Sequence, residues 1–402
     1  MKVKKGYSKI LAGNGQLGPY PMEKLKRVDK PTTLITDRVQ RMEPMEAIAT
    51  VPNRTSESGP VMPAAGRVIR QTYPVAAAES DVMRLVGGSY EGEAAAKKAP
   101  IPQDPRILSR HIKRLGYFYR ADIVGICRLP QYAVYSHDRN GNPIELNHQF
   151  AIVIVVDQEY GTMDASTGHD WISTAQSFRG YSNTTFISSM MANYIRKLGY
   201  PARAHHNGSY QVVVPPLLLW SGIGEISRMG ITVNPFLGAR FKAAVITTDL
   251  PLEPDKPIDF GLQEFCRNCL KCARECRSRA IPGGEKIMHN GYETWKLDVE
   301  RCRKFRARNP YGSGCGHCIK VCPWNKPAGA VHDVVRWTAM RASQLRQGWV
   351  HKLIVKMDDV LGYGKQHPEN QWWFDLSDAG SAPSVNIDEE TAAVSAVAGK
   401  AP

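Results

Sequence analysis

The sequence predicts an α+β fold, and three observations predict it. Helical and strand periodicities alternate between residues 106 and 260, eight of the nine cysteines crowd into 266–322, and no apolar run nears the length of a membrane span. At 402 residues the chain is long enough for two or three packed units.

Residues 1–105 read as an N-terminal region and a loosely packed connection. GNGQLGPYP at 13–21 punctuates a turn, and TTLIT at 32–36 has the make-up of a strand. AAAES at 76–80 and EAAAKKAP at 93–100 suggest short helices. Residues 106–260 read as the core. ILSRHIKRLGYF at 107–118 spaces its apolar residues as an amphipathic helix and leads into a strand, ADIVGICRL, at 121–129. DRNGNP at 138–143 is a turn, and FAIVIVVD at 150–157 is a strand buried on both faces. TTFISSMMANYIRKLGY at 184–200 returns to helical spacing and stops at Gly199. YQVVVP at 210–215 and FKAAVITTDL at 241–250 read as strands. After the cysteine segment, 261–328, a helical stretch at 329–376 is expected to complete the core. The small polar residues of 377–402 read as a disordered tail.

The net charge of +14 is dispersed over KVKK at 2–5, RHIKR at 110–114 and RCRKFRAR at 301–308, a pattern that a solvated surface explains without a nucleic-acid partner. FAIVIVV at 150–156 and VVVPPLLLW at 212–220 are too short to span a bilayer, and the second contains Pro215 and Pro216. MKVKKGYSKILAGNGQLG lacks both an apolar signal core and twin arginines, so the expected location is cytoplasmic. The alternative is an exported, membrane-associated protein whose leader has been removed.

Cys266, Cys269, Cys272 and Cys276 follow C-x2-C-x2-C-x3-C, while Cys302, Cys315, Cys318 and Cys322 follow C-x12-C-x2-C-x3-C with Pro323 next. This is the two-cluster ferredoxin-like arrangement with one gap stretched. In that arrangement the last cysteine of each motif crosses over. One [4Fe-4S] cluster is therefore assigned to Cys266, Cys269, Cys272 and Cys322, and the other to Cys276, Cys302, Cys315 and Cys318. Structural zinc is the competing reading, but zinc ribbons use isolated pairs rather than triplets followed by x3-C-P. Cys127 reads as a small buried hydrophobe. Two adjacent clusters form a wire for single electrons, and a wire needs a terminus.

The chain resembles the corrinoid-dependent reductive dehalogenases, which are related to the epoxyqueuosine reductases. The resemblance rests on the unequal cysteine motifs, on WKLDVERCRKFRARNPYGSGCGHCIKVCPWNKP at 295–327, on SGIGEISRMGITVNPFLGARFKAAVITTDLPL at 221–252 and on RGYSNTTFISSMMANYIRKLGYPA at 179–202. It covers about 106–328. It implies a nitroreductase-like cobalamin-binding α/β core, a base-off corrinoid, and reduction by way of cob(I)alamin of a small organohalide under anaerobic conditions. Electrons would come from an unidentified donor through two [4Fe-4S] clusters, and a tyrosine would supply the proton. A nearby cation makes that chemically sensible, because it stabilises the phenolate left behind.

Matched residue by residue, the resemblance implies Tyr181 as the proton donor, Arg240 as its cation with Lys242 the alternative, and Asn207 as the active-site asparagine. Ser221, Gly222, Gly224, Gly230 and Asn234 are the candidates for close backbone approach to the corrinoid. Each also has an ordinary reading as a packed, turn or surface residue. His205 and His206 are weaker candidates, and Trp171, Trp220, Trp295, Trp324, Trp372 and Trp373 are candidates for an apolar substrate slot. A homodimer, and a small membrane anchor if the protein is exported, are the further partner expectations. The competing functions are an epoxyqueuosine reductase acting on tRNA, whose Asp-Tyr-His context is missing here, and a non-catalytic iron-sulfur electron-transfer protein.

Overall fold

The structure, a computed structural model, describes residues 15–43, 74–138, 140–166, 168, 172–308 and 314–367. Its centre is a four-stranded sheet in the order β1 (Ile123–Arg128), β2 (Phe150–Asp157), β6 (Phe241–Thr248), β3 (Ala202–His205), with every neighbouring pair antiparallel. Ile154 stands opposite Val124 on one side and Ala244 on the other. Both faces of the sheet are covered, which is why FAIVIVVD shows no polar alternation.

Alternate side chains feed two apolar layers. Ile126, Ile152, Ile154 and Ile246 meet Ile112 of α2 (Pro105–Phe118) and Ile187, Met191 and Ile195 of α4 (Ile172–Lys197). Ile123, Val153, Val155 and Val245 face the other way, toward Leu217 and Leu218 of α5 (Val214–Trp220), in a layer that runs on to Phe265 and Trp324 of the cysteine segment. Cys127 is buried in this second layer, and burial pushes its thiol far up. The sheet thus forms a wall with helices behind it and the cysteine domain in front.

Before α2 lies α1 (Pro74–Gly87), packed on α4; α3 (Tyr160–Ala165) precedes α4, and a short hairpin of β4 (Glu225–Ile226) and β5 (Thr232–Val233) follows α5. The cysteine domain contains α6 (Leu262–Cys269), α7 (Lys271–Arg274), the β7 (Ile287–His289) and β8 (Tyr292–Thr294) hairpin, α8 (Val299–Arg308) and α9 (His317–Lys320). Last come α10 (Ala330–Gln344) and α11 (Gly348–Val360).

Three expectations change. YQVVVP is no strand: Val212 makes a single bridge to Val134, and the chain enters α5. Pro215 and Pro216 sit in the first turn of that helix, where a missing N–H costs nothing, whereas in a sheet ladder it would break the pairing. EAAAKKAP is a strap whose Ala95 and Ala99 amides donate to Arg196 O and Leu198 O at the end of α4, at 2.9 and 3.0 Å. TTLIT contributes one bridge, between Ile35 and Tyr292. The C-terminal helices pack on α6 of the cysteine domain, and the chain turns between them at Arg346, φ 53°. The 377–402 tail lies outside the described residues, as do Trp171, Trp372 and Trp373.

Candidate functional site

Short helices and left-handed residues fold the cysteine segment tightly. α6 starts after Gly261 (φ 80°) and ends at Leu270 (φ 56°), after which α7 lasts four residues. Winding of this kind turns Cys266, Cys269 and Cys272 toward one another. With Cys322 they line a single cavity, closed by Met229 and Trp324. Cys276, Cys302, Cys315 and Cys318 line a second and larger cavity. All nine cysteines are free thiols.

Burial raises the Cys322 thiol to about 11 and the Cys269 thiol to about 12, and pushes Cys266, Cys272 and Cys318 higher still. Burial also works against Cys276, yet its thiol is lowered because the Ser278 hydroxyl and the Ala280 and Ile281 amides donate to its sulfur. Four thiolates do not share a desolvated cavity without a positive centre, and a soft metal supplies one. Among the described residues no three His, Cys, Asp or Glu side chains converge as they would on a single ion. The sulfurs surround a volume instead, which suits a cluster better than tetrahedral zinc.

The second cavity, about 1150 Å³ of non-protein space including open solvent, is lined by its four cysteines and also by Gln158, Met163, Ser173, Gln176 and Ser177 and by Met229, Ile231 and Lys242. Gln158 Oε1, Gln176 Oε1 and Ser173 Oγ are buried there without a hydrogen-bond partner among the described residues. Buried orphan polar atoms are costly, so a cavity that collects three of them is made for a polar-rimmed occupant. The sequence reading missed these three residues. The available signal for Ser173 and Gln176 is ISTAQS, a run of small polar residues opening a long helix; Gln158, just past the end of β2, has none.

Lys242 lies on β6 with its Nζ 4.8 Å from the centroid of the Tyr181 ring on α4. Gly180 makes this possible: a Cβ there would stand 2.8 Å from Lys242 Cγ. Tyr210 is nearby, its hydroxyl donating to Ala243 O at 2.8 Å; burial first, then the neighbouring Tyr181, pushes it well above the usual phenol range.

Arg240 does not take the place expected beside Tyr181. Its Nε donates to Asp157 Oδ1 at 2.9 Å and its Nη1 to Asn325 Oδ1 and Lys326 O, both at 3.0 Å. The pairing of Tyr181 with Arg240 is therefore corrected to Lys242. Only Phe241 separates the cations along the chain, but Arg240 precedes the strand and turns into the joint between sheet and cysteine domain.

Asn207 directs its Nδ2 toward Met83 Sδ of α1, at 3.7 Å. His205 is fully buried, shared between Arg203 Nη1 and Thr247 Oγ1, both at 2.9 Å, and burial holds its pKa low. Burial lowers His206 as well.

The residues expected to approach the corrinoid are packed against protein. A Cβ on Gly222 would stand 2.3 Å from Lys256 O, and one on Gly224 would stand 2.3 Å from Val233 O, so each glycine admits a close approach of other backbone. Asn234 Nδ2 donates to Ile223 O at 2.6 Å, while its Oδ1 accepts from Phe236 N and Leu237 N. Ser221 caps α5 inside the protein, and Gly230 borders a separate apolar cavity beside Tyr132 and Tyr292. Their neighbours Met229 and Ile231 reach the large cavity instead. Trp220 donates to Tyr132 Oη at 2.6 Å, Trp295 is buried beneath Arg228 and Lys286, and Trp324 packs on Phe260 and Phe265.

Residues 265–326 match the model of the 4Fe-4S dicluster domain. The tetrachloroethene reductive dehalogenase of Sulfurospirillum multivorans is 30% identical over 314 residues, 69% of this chain and 61% of that protein. The solved catabolic reductive dehalogenase NpRdhA, in complex with 3-bromo-4-hydroxybenzoic acid, superposes with a TM-score of 0.82 at 39% identity, covering 89% of this chain and 52% of that one. Similarity to the epoxyqueuosine reductase of Leadbetterella byssophila, 30% identical, is confined to 110 residues, 26% of this chain. The chain spans 61% and 52% of these two dehalogenases.

Proposed function

We propose that this chain, a homologue of the reductive dehalogenases over the length it spans, reduces a small organohalide. In the balanced reaction two electrons and one proton replace the carbon–halogen bond with carbon–hydrogen and release halide. One observation carries this reading: a single cavity is lined both by Cys276, Cys302, Cys315 and Cys318 and by Lys242, the neighbour of Tyr181.

Each cysteine set holds one [4Fe-4S] cluster in this proposal, Cys266, Cys269, Cys272 and Cys322 forming the outer site and the other four the inner. A base-off corrinoid suits the large cavity, because its amide-fringed rim would satisfy Gln158, Gln176 and Ser173. When bound, it supplies low-valent cobalt as the reductant of the carbon–halogen bond. Tyr181 donates the proton from its hydroxyl. The Lys242 ammonium, held over the ring, favours the phenolate that remains, while the apolar wall of Met163, Met229 and Ile231 keeps water from competing for the proton. Arg240 and Asn207 act at one remove, the first by tying β2 to Asn325 and the second by bracing α1.

Anaerobically purified protein is expected to contain about eight iron and one cobalt per chain and to release halide from chlorinated or brominated compounds with reduced viologen. Tyr181→Phe should lower turnover between about 100-fold and 10,000-fold with the metal content intact. Iron without cobalt, and no halide released, would move the protein to simple electron transfer.

A further inference from the structure

Electrons must reach the inner cysteine set from outside. The inner set opens on the large cavity, whereas the outer set lies behind Phe265, Pro323 and Trp324. Those same three residues form the floor of a second, shallower groove between α10 and α11. Val331, Val335, Met357 and Leu361 edge this groove and are 74%, 36%, 50% and 68% exposed. The neighbouring Val334, Trp337 and Val360 extend the apolar surface.

The surrounding charge is one-sided. Every carboxylate of 330–367 is already engaged: Asp333 with Arg336, Asp358 with Lys271 and Lys326, and Asp359 with Lys271 and Arg274. Arg341, Arg346, Lys352, Lys356 and Lys365 have no carboxylate partner among the described residues. Lys356 adjoins Met357, and Lys365 folds back over Gly362, between the groove residues Leu361 and Tyr363.

Resting on the reading above, we infer that the α10–α11 groove is the docking surface of an acidic one-electron carrier protein. An apolar patch on the carrier enters the groove while its carboxylates meet the rim lysines, bringing its redox centre over the wall of the outer cluster. In each encounter the carrier loses one electron and the outer cluster gains it, and two encounters supply one turnover. A flat bilayer would meet the ridges of the helices but not the recessed floor.

The test is stopped-flow reduction of the cluster absorbance in anaerobic holoprotein, with either a reduced acidic ferredoxin or the methyl viologen radical as donor. Lys356→Glu/Lys365→Glu is expected to slow the ferredoxin reaction about tenfold or more and to flatten its salt dependence, while the viologen reaction stays within about twofold. Arg346→Glu serves as a second variant, with the viologen rate reporting intact clusters in each. An unchanged ferredoxin rate, or an equal fall with both donors, overturns the inference. It is also overturned if the double variant dissociates a dimer, or releases the protein from phosphatidylglycerol vesicles, without altering the ferredoxin rate. Failure of the viologen-reduced enzyme to release halide would count against dehalogenation and leave the docking result standing.

Discussion

The sheet and the cysteine domain are held together by opposite means. In the sheet, Ile126, Ile152, Ile154 and Val245 are wholly or almost wholly buried, and their apolar contact alone stabilises the layers. In the cysteine domain, α7 and α9 last four residues each, too short to stand by themselves, and the eight thiols are buried or half-buried. One region is a packed core. The other is a frame whose centre is meant to be inorganic, so removing metal and removing methylene groups should have effects that do not mix.

The largest effect is expected from the frame. Cys318→Ser should remove about half of the iron and abolish halide release, because a hydroxyl is a poor substitute for a thiolate at a cluster. Circular dichroism of the sheet should change little; a variant with full iron content would dissolve the contrast and the assignment of Cys318.

Arg240 and Lys242 sharpen the comparison where the two regions meet. Arg240→Gln leaves Asp157 buried without its partner, and a loss of about 3–5 kcal/mol in urea unfolding is expected. Lys242→Gln should leave the unfolding midpoint nearly unchanged while lowering turnover about tenfold or more. If the two variants exchanged these phenotypes, the cation beside Tyr181 would be Arg240 after all.

Smaller again is the effect within the sheet. Ile154→Val should cost about 0.5–1.5 kcal/mol and leave the iron content untouched. Iron lost in proportion to stability would mean that the regions unfold as one.

Glu225 lies at the seam, its Oε1 accepting from Phe260 N at 2.7 Å and its Oε2 from the Thr32 hydroxyl at 2.5 Å. Burial pushes its carboxyl up to about 7 from 4.5, outweighing the donors that pull it down. The folded value exceeds the unfolded one, so the favourable contribution is complete below about pH 4.5 and is lost as pH rises through about 7. Glu225→Gln keeps the same geometry without the titration. Its stability relative to the parent should therefore rise between about pH 4.5 and pH 7 and then level off, as read from urea midpoints. A flat difference would show that Glu225 does not sense its burial.

Periodicity made β1, β2, β6, α2 and the later part of α4 legible, because each repeats apolar residues at the spacing of its own backbone. It failed at Val214–Trp220, where two prolines decide between helix and strand, and at EAAAKKAP, where an alanine-rich stretch gives its amides to the end of another helix. The glycines of SGIGEISRMG suggest a ligand, but the space beside Gly222 is taken by Lys256 O from a remote segment and that beside Gly224 by Val233 O across the β4–β5 hairpin, a pairing of two-residue strands too short to leave a periodic signal.

The sequence by itself determined the cysteine motifs and the alternation that builds a two-faced sheet, since spacing along a chain and the period of a backbone are local properties. Only the tertiary structure decided which of two nearby cations lies over Tyr181 and where Gln158, Ser173 and Gln176 meet. Those are distances between remote segments, fixed by how helices pack on a sheet and written in no single stretch of residues.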